Sequence, residues 1–290
     1  MDGVSDVNAR RRQRAIRATR TVAARFGVAA EVPLVLHDSN NTVIHLAPAP
    51  VVAKVRTSPE EASLGDELRV ARHLLARGGS VVPPAALVPP GPYVEDGLEM
   101  TFWEYCPHQG GEPDPDEMGR SLRLLHDALD GYPEPLPPWN RFDGVDRVVA
   151  NSAALRSLPP EDRVFLRDMY RQLLERIARF DPPVRPLHGE PHSGNLLRSE
   201  TGLRWIDFES ACIGPREWDL TVLPDEVVAR YFGEVDWDLL AVLRQMRSLC
   251  VAVWCRLDPD RSPVLREAGE YHLGLLKGAG WGEGRRRWER

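Results

Sequence analysis

His188-Gly189-Glu190-Pro191-His192-Ser193-Gly194-Asn195-Leu196-Leu197-Arg198, then Ser199-Glu200-Thr201-Gly202, then Leu203-Arg204-Trp205-Ile206-Asp207-Phe208-Glu209 gathers more ligand and proton-transfer chemistry than any other part of the chain. Leu196 to Arg198 and Leu203 to Ile206 are strand-like runs, and the four residues between them have the composition of a hairpin turn. Pairing 198 with 203 sets 195 opposite 206. Asn195 and Asp207 then meet at the open end of the hairpin, where the irregular segment from His188 to Gly194 also arrives. An amide oxygen and a carboxylate are hard ligands, suited to Mg²⁺ held jointly with the phosphates of a nucleotide.

The order of these residues resembles the catalytic loop and metal-binding segment of protein-kinase-like phosphotransferases, H-x-D-x-x-x-x-N followed by D-F-G. The fuller string H-G-E-P-H-S-G-N-L-L with I-D-F-E is similar to the aminoglycoside phosphotransferase and choline kinase branch. That resemblance implies an α+β protein-kinase-like bilobal fold. A small N-terminal β-sheet lobe with an N-terminal helix and one key helix would span residues 1–105, and a larger, mainly helical catalytic and acceptor-binding lobe residues 106–290. It further implies ATP as donor, with GTP left open, Mg²⁺ on Asn195 and Asp207, and a small-molecule hydroxyl as acceptor, such as that of an aminoglycoside, an amino alcohol or a sugar.

Within the motif, the resemblance gives His188 the task of orienting the loop and His192 a place near the phosphates or in fastening the loop. Glu190 stands where the family carries its catalytic Asp. The departure keeps an alternative open, a kinase-like protein that binds nucleotide without turnover. Glu209 is read as touching metal or acceptor, or as standing behind them. Asp219, in Trp218-Asp219-Leu220, resembles the family's downstream Asp that buttresses the catalytic loop. A second alternative is a metal-dependent hydrolase ligated by His188, Glu190 and His192. Zincins, however, set their two histidines on a helix as H-E-x-x-H, whereas Gly189 and Pro191 interrupt here.

A chain of 290 residues that is 42% hydrophobic can bury the core such a fold needs. No apolar run approaches the roughly 20 residues of a membrane helix, and Arg10 to Arg14 precede no apolar signal core, so a cytoplasmic protein without membrane partners is expected. Cys106, Cys212, Cys250 and Cys255 are scattered, which indicates neither a disulfide framework nor a structural zinc. The net charge of −6 argues against nucleic acid as a general partner. Arg10-Arg11-Arg12 and Arg285-Arg286-Arg287 read as solvated helix and tail.

Of 37 basic residues only Lys54 and Lys277 are lysines, and Lys54 lies inside the apolar run Val51-Val52-Ala53-Lys54-Val55. It resembles the V-A-x-K lysine that contacts the α- and β-phosphates in kinase-like folds, with a snorkelling edge-strand lysine as the plainer reading. Ser58-Pro59-Glu60-Glu61 has the form of a capping box and Gly78-Gly79 that of a stop, which predicts a helix over about 59–77. Leu64, Leu68, Ala71, Leu74 and Leu75 form its apolar stripe, and Glu67 falls among them. A carboxylate there either reaches water at the edge of the stripe or meets a cation. The resemblance names Lys54 as that cation.

Leu34 to His37 and Val43 to Leu46 read as strands around the turn Asp38-Ser39-Asn40-Asn41-Thr42, where Ser39 and Asn40 would cap phosphates in place of a G-x-G-x-x-G loop. Leu98 to Cys106 alternates as a strand. By similarity it leads into the hinge, where the backbone of Glu104, Tyr105 and Cys106 would bond adenine. Asp114 to Glu117 opens a helix to about Ala128, on which His126 reads as a satisfied core histidine. Further helices are expected near 144–156, 160–180, 225–232, 236–257 and 262–276. Asp225, Glu226, Glu234, Asp236, Asp238, Glu267 and Glu270 would attract a cationic acceptor or simply form a solvated face.

Overall fold

The computed structural model describes residues 2–39, 41–57, 63–151, 155–231, 233–257 and 263–278, which form two compact units. The first comprises Met1–Pro113, Asp127–Tyr132 and Asn195–Ser210. It opens with α1 (Asp2–Ala24), followed by β1 (Val32–Asp38), β2 (Asn41–Ala47), β3 (Val51–Arg56), α2 (Leu64–Ala76), β4 (Tyr93–Glu95) and β5 (Leu98–Glu104). The five strands make one antiparallel sheet in the order β1-β2-β3-β5-β4.

The two-residue period of the strands gives this sheet two different faces. Val51, Ala53 and Val55 of β3 join Met100 and Phe102 of β5 beneath Ala15, Ala18, Val22 and Ala23 of α1. On the other face Val52 and Trp103 pack with Leu68 and Ala71 of α2 and with Val82. Lys54 alternates onto this second face, where it is 7% exposed.

α2 begins later than its sequence suggested. Ser63 is the N-cap, its Oγ accepting the N–H of Gly65 at 3.1 Å, and Ser58 to Glu61 lie outside the described residues. Leu64, Leu68, Ala71 and Leu74 are buried as the stripe required, and so is Glu67.

The hairpin β7 (Leu196–Ser199) and β8 (Gly202–Trp205) has the register that its turn composition implied, with Arg198 opposite Leu203. The N–H of Ile206 donates to the carbonyl of Asn195 at 3.0 Å, which extends the pairing by one more step. Gly202 closes the turn at φ +107, a conformation open mainly to glycine. Residues 80–82 stitch the hairpin to the unit. Trp205 N–H donates to Ser80 O at 2.9 Å and Val82 N–H to Trp205 O at 3.1 Å.

The second unit comprises Asp114–His126, Pro133–Gly194 and Ala211–Arg290. Its helices are α3 (Pro115–Leu129, whose last residues count with the first unit), α4 (Val145–Ala150), α5 (Pro160–Ile177), α6 (Arg216–Leu220), α7 (Asp225–Val228), α8 (Trp237–Trp254) and α9 (Pro263–Leu276). Asp114 caps α3 by accepting from the N–H groups of Asp116 and Glu117. Leu166 and Leu173 of α5, Leu239, Leu243 and Met246 of α8, and Leu273 of α9 share one core. The helices expected over 144–156 and 225–232 are each shorter, and α7 is a single turn.

β6 (Arg185–Leu187) pairs with β9 (Cys212–Gly214), so His188 leaves a strand held against the one that leads into α6. The four cysteines are free thiols. No helix among the described residues is long and apolar enough to cross a membrane. The Arg285 to Arg287 cluster lies outside the described residues.

Candidate active site

Lys54 is the centre of the first unit's polar cluster. Its Nζ lies 2.8 Å from Glu67 Oε2, 2.8 Å from Asp207 Oδ1 and 2.5 Å from Glu209 Oε1. Of the two outcomes open to Glu67 in the apolar stripe, water or a cation, it meets the cation, and its other oxygen accepts the N–H of Phe208 at 3.2 Å. One carboxylate on α2 therefore fixes both the lysine of β3 and the backbone just after Asp207. Asp207 itself sits at φ +67, a left-handed conformation that non-glycine residues seldom adopt and that clusters at functional sites. Burial acts against the charge on Lys54, but the three carboxylates hold its pKa above the ordinary lysine value. Burial, reinforced by Asp207 and Glu209, pushes Glu67 up to about 7 against the pull of Lys54.

Two further partners in this cluster were not singled out from the sequence. Arg56 Nη2 reaches Glu209 Oε2 at 3.4 Å, and Asn41 Nδ2 donates to Glu209 Oε1 at 2.5 Å. Strand alternation from Lys54 would have put Arg56 on the same face, whereas nothing local marked Asn41 over its neighbours. Ser39 is turned elsewhere, with its Oγ 2.8 Å from His37 Nε2 and its N–H on the carbonyl of Asn41. Asn40 lies outside the described residues. At the end of β5, Glu104 N–H donates to Pro83 O at 2.9 Å and Tyr105 N–H to Pro50 O at 3.0 Å. The Tyr105 ring stacks on His45 with centroids 3.7 Å apart. Cys106 is half-buried beside the α2 packing.

In the second unit the segment from His188 is held by its own backbone polar groups. Asp219, wholly buried, accepts the N–H of His188 at 2.9 Å and that of Gly189 at 2.8 Å. His126 Nε2 lies 2.9 Å from the same carboxylate, and its Nδ1 lies 2.5 Å from the Tyr231 hydroxyl, so the core histidine is satisfied on both nitrogens. Burial opposes the charge on Asp219, yet His126, His188 and the Gly189 N–H hold its carboxyl below the usual range. His188 Nδ1 accepts the N–H of Glu190 at 3.3 Å, and His192 Nδ1 accepts that of Gly194 at 3.0 Å. Both rings therefore face their own loop, and the Glu190 side chain is exposed.

Among the described residues, the one group of three His, Cys, Asp or Glu whose ligand atoms converge is Glu67, Asp207 and Glu209, within 4.8 Å of one another. His188, Glu190 and His192, the ligand set of the hydrolase alternative, do not form such a group among the described residues. Asn195 is buried and anchored through its carbonyl by Ile206. Of the acidic residues considered for a cationic acceptor, Asp225 is paired with Arg244 at 2.6 Å and Asp236 caps α8 through the N–H of Leu239.

A strand lysine tied to a helix glutamate, with the aspartate of an Asp-Phe-Glu hairpin on the same ammonium, places the chain among proteins of protein-kinase-like fold. The phosphotransferase enzyme family matches residues 14–258, and the chain belongs to that family of small-molecule phosphotransferases. Solved structures share its fold. A choline/ethanolamine kinase family protein from Mesorhizobium loti is 17% identical with a TM-score of 0.65, the match covering 94% of this chain and 98% of that one. An amicoumacin kinase in complex with AMP-PNP and Ca²⁺ is 12% identical with a TM-score of 0.67, over 89% of this chain and 93% of its own. A spectinomycin phosphotransferase in complex with ADP and its antibiotic is 15% identical with a TM-score of 0.61, over 91% and 93%. No curated protein sequence matches the chain.

Proposed function

We propose that the protein transfers the γ-phosphoryl group of ATP, or of another purine nucleoside triphosphate, to a hydroxyl of a small molecule. The observation that carries this reading is the Lys54 ammonium, held 2.8 Å from Glu67 and 2.8 Å from Asp207. In this role Lys54 would neutralise the α- and β-phosphates, and Glu67 would keep it aimed at them. With the N–H groups of Glu104 and Tyr105 committed to Pro83 and Pro50, the base would be read by the N–H of Cys106.

The donor set fits a divalent cation. Glu67, Asp207 and Glu209 bring three carboxylates against Lys54 and Arg56, an excess of negative charge made of hard oxygens. The buried Oδ1 of Asn41 adds an acceptor without a partner. Asn195 and Asp207 would hold Mg²⁺, which when bound would offset charge on the transferring phosphoryl group.

Glu190 would accept the proton of the acceptor hydroxyl, with His188 orienting its peptide. The loose transition state of phosphoryl transfer asks more for positioning than for strong base catalysis, so one extra methylene relative to Asp is tolerable. The acceptor is a small hydroxyl compound, with aminoglycosides, amino alcohols and sugars as the first candidates.

The test is consumption of Mg·ATP by wild type, Glu190→Gln and Asp207→Asn across a panel of aminoglycosides, amino alcohols, sugars and nucleosides. Turnover by wild type alone is the expected result. Nucleotide binding without turnover for any acceptor would favour the non-catalytic reading, and no nucleotide binding at all would sink both.

A further inference from the structure

We infer that Arg247, on α8, is a positioning residue for phosphoryl transfer: it holds the carbonyl of Gly189 and with it the peptide plane from which Glu190 projects. This rests on the assignment of Glu190 as the group that takes the acceptor's proton.

The first observation is where Arg247 lies. Leu240, Leu243 and Cys250 are buried at helical spacing along α8, and Arg247 occupies the position in that stripe where a fourth apolar residue is expected. A guanidinium in such a stripe costs free energy unless its donors and its planar face are used. They are. Nε donates to Thr221 Oγ1 at 2.6 Å, Nη2 donates to Gly189 O at 3.1 Å and to Trp218 O at 3.4 Å, and Cζ lies 3.9 Å from the centre of the Trp218 ring. The Thr221 hydroxyl in turn donates to Trp218 O at 2.6 Å, so the anchor on α6 is itself fixed.

The second observation is what Arg247 completes. Gly189 is buried, adopts φ +90 and directly precedes Glu190. Its N–H is taken by Asp219 and its carbonyl by Arg247, while the N–H of Glu190 in the same peptide plane goes to His188 Nδ1. Trp218 and Asp219 lie on α6 and Thr221 is its C-cap, so one short element and its cap grip Gly189 through Asp219 directly and through Arg247 indirectly. Rotation of the Gly189–Glu190 peptide is the motion that would swing the Glu190 side chain, and both ends of that peptide are bonded. Burial pulls the guanidinium's pKa down from its ordinary value, and Glu190 and Asp219 oppose that pull, which places Glu190 within the electrostatic reach of Arg247.

Lysine at 247 would keep the charge without the planar fork, and methionine would keep the bulk without either. The full chain with Arg247→Met and Arg247→Lys is compared with wild type by backbone amide exchange and by ADP release from Mg·ATP with the best acceptor of the panel. Exchange at Gly189 and Glu190 is expected to accelerate about tenfold or more in both variants, with the amides of β2 and β3 unchanged. Turnover is expected to fall about 10- to 100-fold with KM for ATP within about twofold, because misplacing a reacting group costs kcat rather than nucleotide binding. Arg247→Met combined with Glu190→Gln should be no slower than Glu190→Gln alone.

Unchanged exchange at Gly189 and Glu190 would overturn the inference, as would faster exchange with undiminished kcat. A wild type that turns over with no acceptor would remove the assignment of Glu190 and the role in turnover together, while the exchange result would still decide whether Arg247 holds the loop. Should Arg247→Met fail to fold, Arg247→Lys carries the same two measurements.

Discussion

The side-chain amide of Asn41 donates to Glu209 at 2.5 Å, tying the first residue of β2 to the segment just after Asp207 across 168 positions of sequence. Glu209 also meets Lys54 and Arg56, so the Asn41 amide helps decide how that carboxylate divides itself between them. Replacing Asn41 with Ala removes a buried hydrogen bond to a charged group, an interaction of about 1.5–3 kcal/mol. The expected outcome is a Kd for Mg·ATP weakened about tenfold or more, read by titration calorimetry.

Lys54→Met leaves the buried Glu67 and the half-buried Glu209 without the ammonium. Breaking a buried pair by removing one partner costs about 3–5 kcal/mol, so the variant should unfold at clearly lower denaturant concentration than wild type. Lys54→Met combined with Glu67→Leu should recover part of that loss, because no uncompensated charge remains at α2. A double variant less stable than Lys54→Met would contradict the pairing.

Glu190→Asp keeps the carboxylate but shortens the side chain by one methylene. If positioning dominates, kcat should stay within about tenfold of wild type, whereas Glu190→Gln should lose about 100-fold or more. A Glu190→Asp variant as slow as Glu190→Gln would mean that the loop is built around the longer side chain.

Asp219→Asn takes away a carboxylate that accepts two consecutive N–H groups and faces His126. A loss of about 3 kcal/mol is expected, since hydrogen bonds to a charged acceptor are among the stronger ones. Its pKa is depressed in the folded chain, so its contribution is present above the unfolded Asp value and disappears as pH falls through the folded value. The variant's stability should therefore depend less on pH in the acid range, as read by denaturant titration.

His272 on α9 supplies a second acid-sensitive element of the same sign. Burial lowers its pKa from 6.5 to about 4, and its Nδ1 has no partner. Between those values the unfolded chain binds a proton that the folded chain refuses, so stability falls as pH drops from 6.5 toward 4 and levels off below. The loss at that plateau amounts to about 3 kcal/mol. His272→Leu should flatten that slope in thermal melts taken across the window.

Much of the fold was legible before any coordinates because its signals are local. The turn composition of Ser199 to Gly202 fixed which residues pair in the hairpin, and the structure has Arg198 opposite Leu203. A carboxylate among the leucines of α2 had either to reach water or to meet a cation, and it meets Lys54. Helix starts were less legible. Ser63 caps α2, and Leu64 directly after it packs into the core.

What the sequence by itself determined about this protein is its family, its hairpin register and the two ends of the Lys54–Glu67 pair, since each is written as a period, a turn or a motif within a few residues. What only the tertiary structure decided is which distant side chains complete those pieces. Asn41 and Ser39 are both short polar residues of one turn, yet only Asn41 reaches Glu209, while Ser39 bonds His37. Arg247 is one of many arginines in the sequence, and nothing around it in α8 announces that its guanidinium closes on Gly189 from 58 positions away. The physical reason is that periodicity specifies which face a residue occupies, whereas a contact between faces depends on how elements far apart in sequence pack against each other.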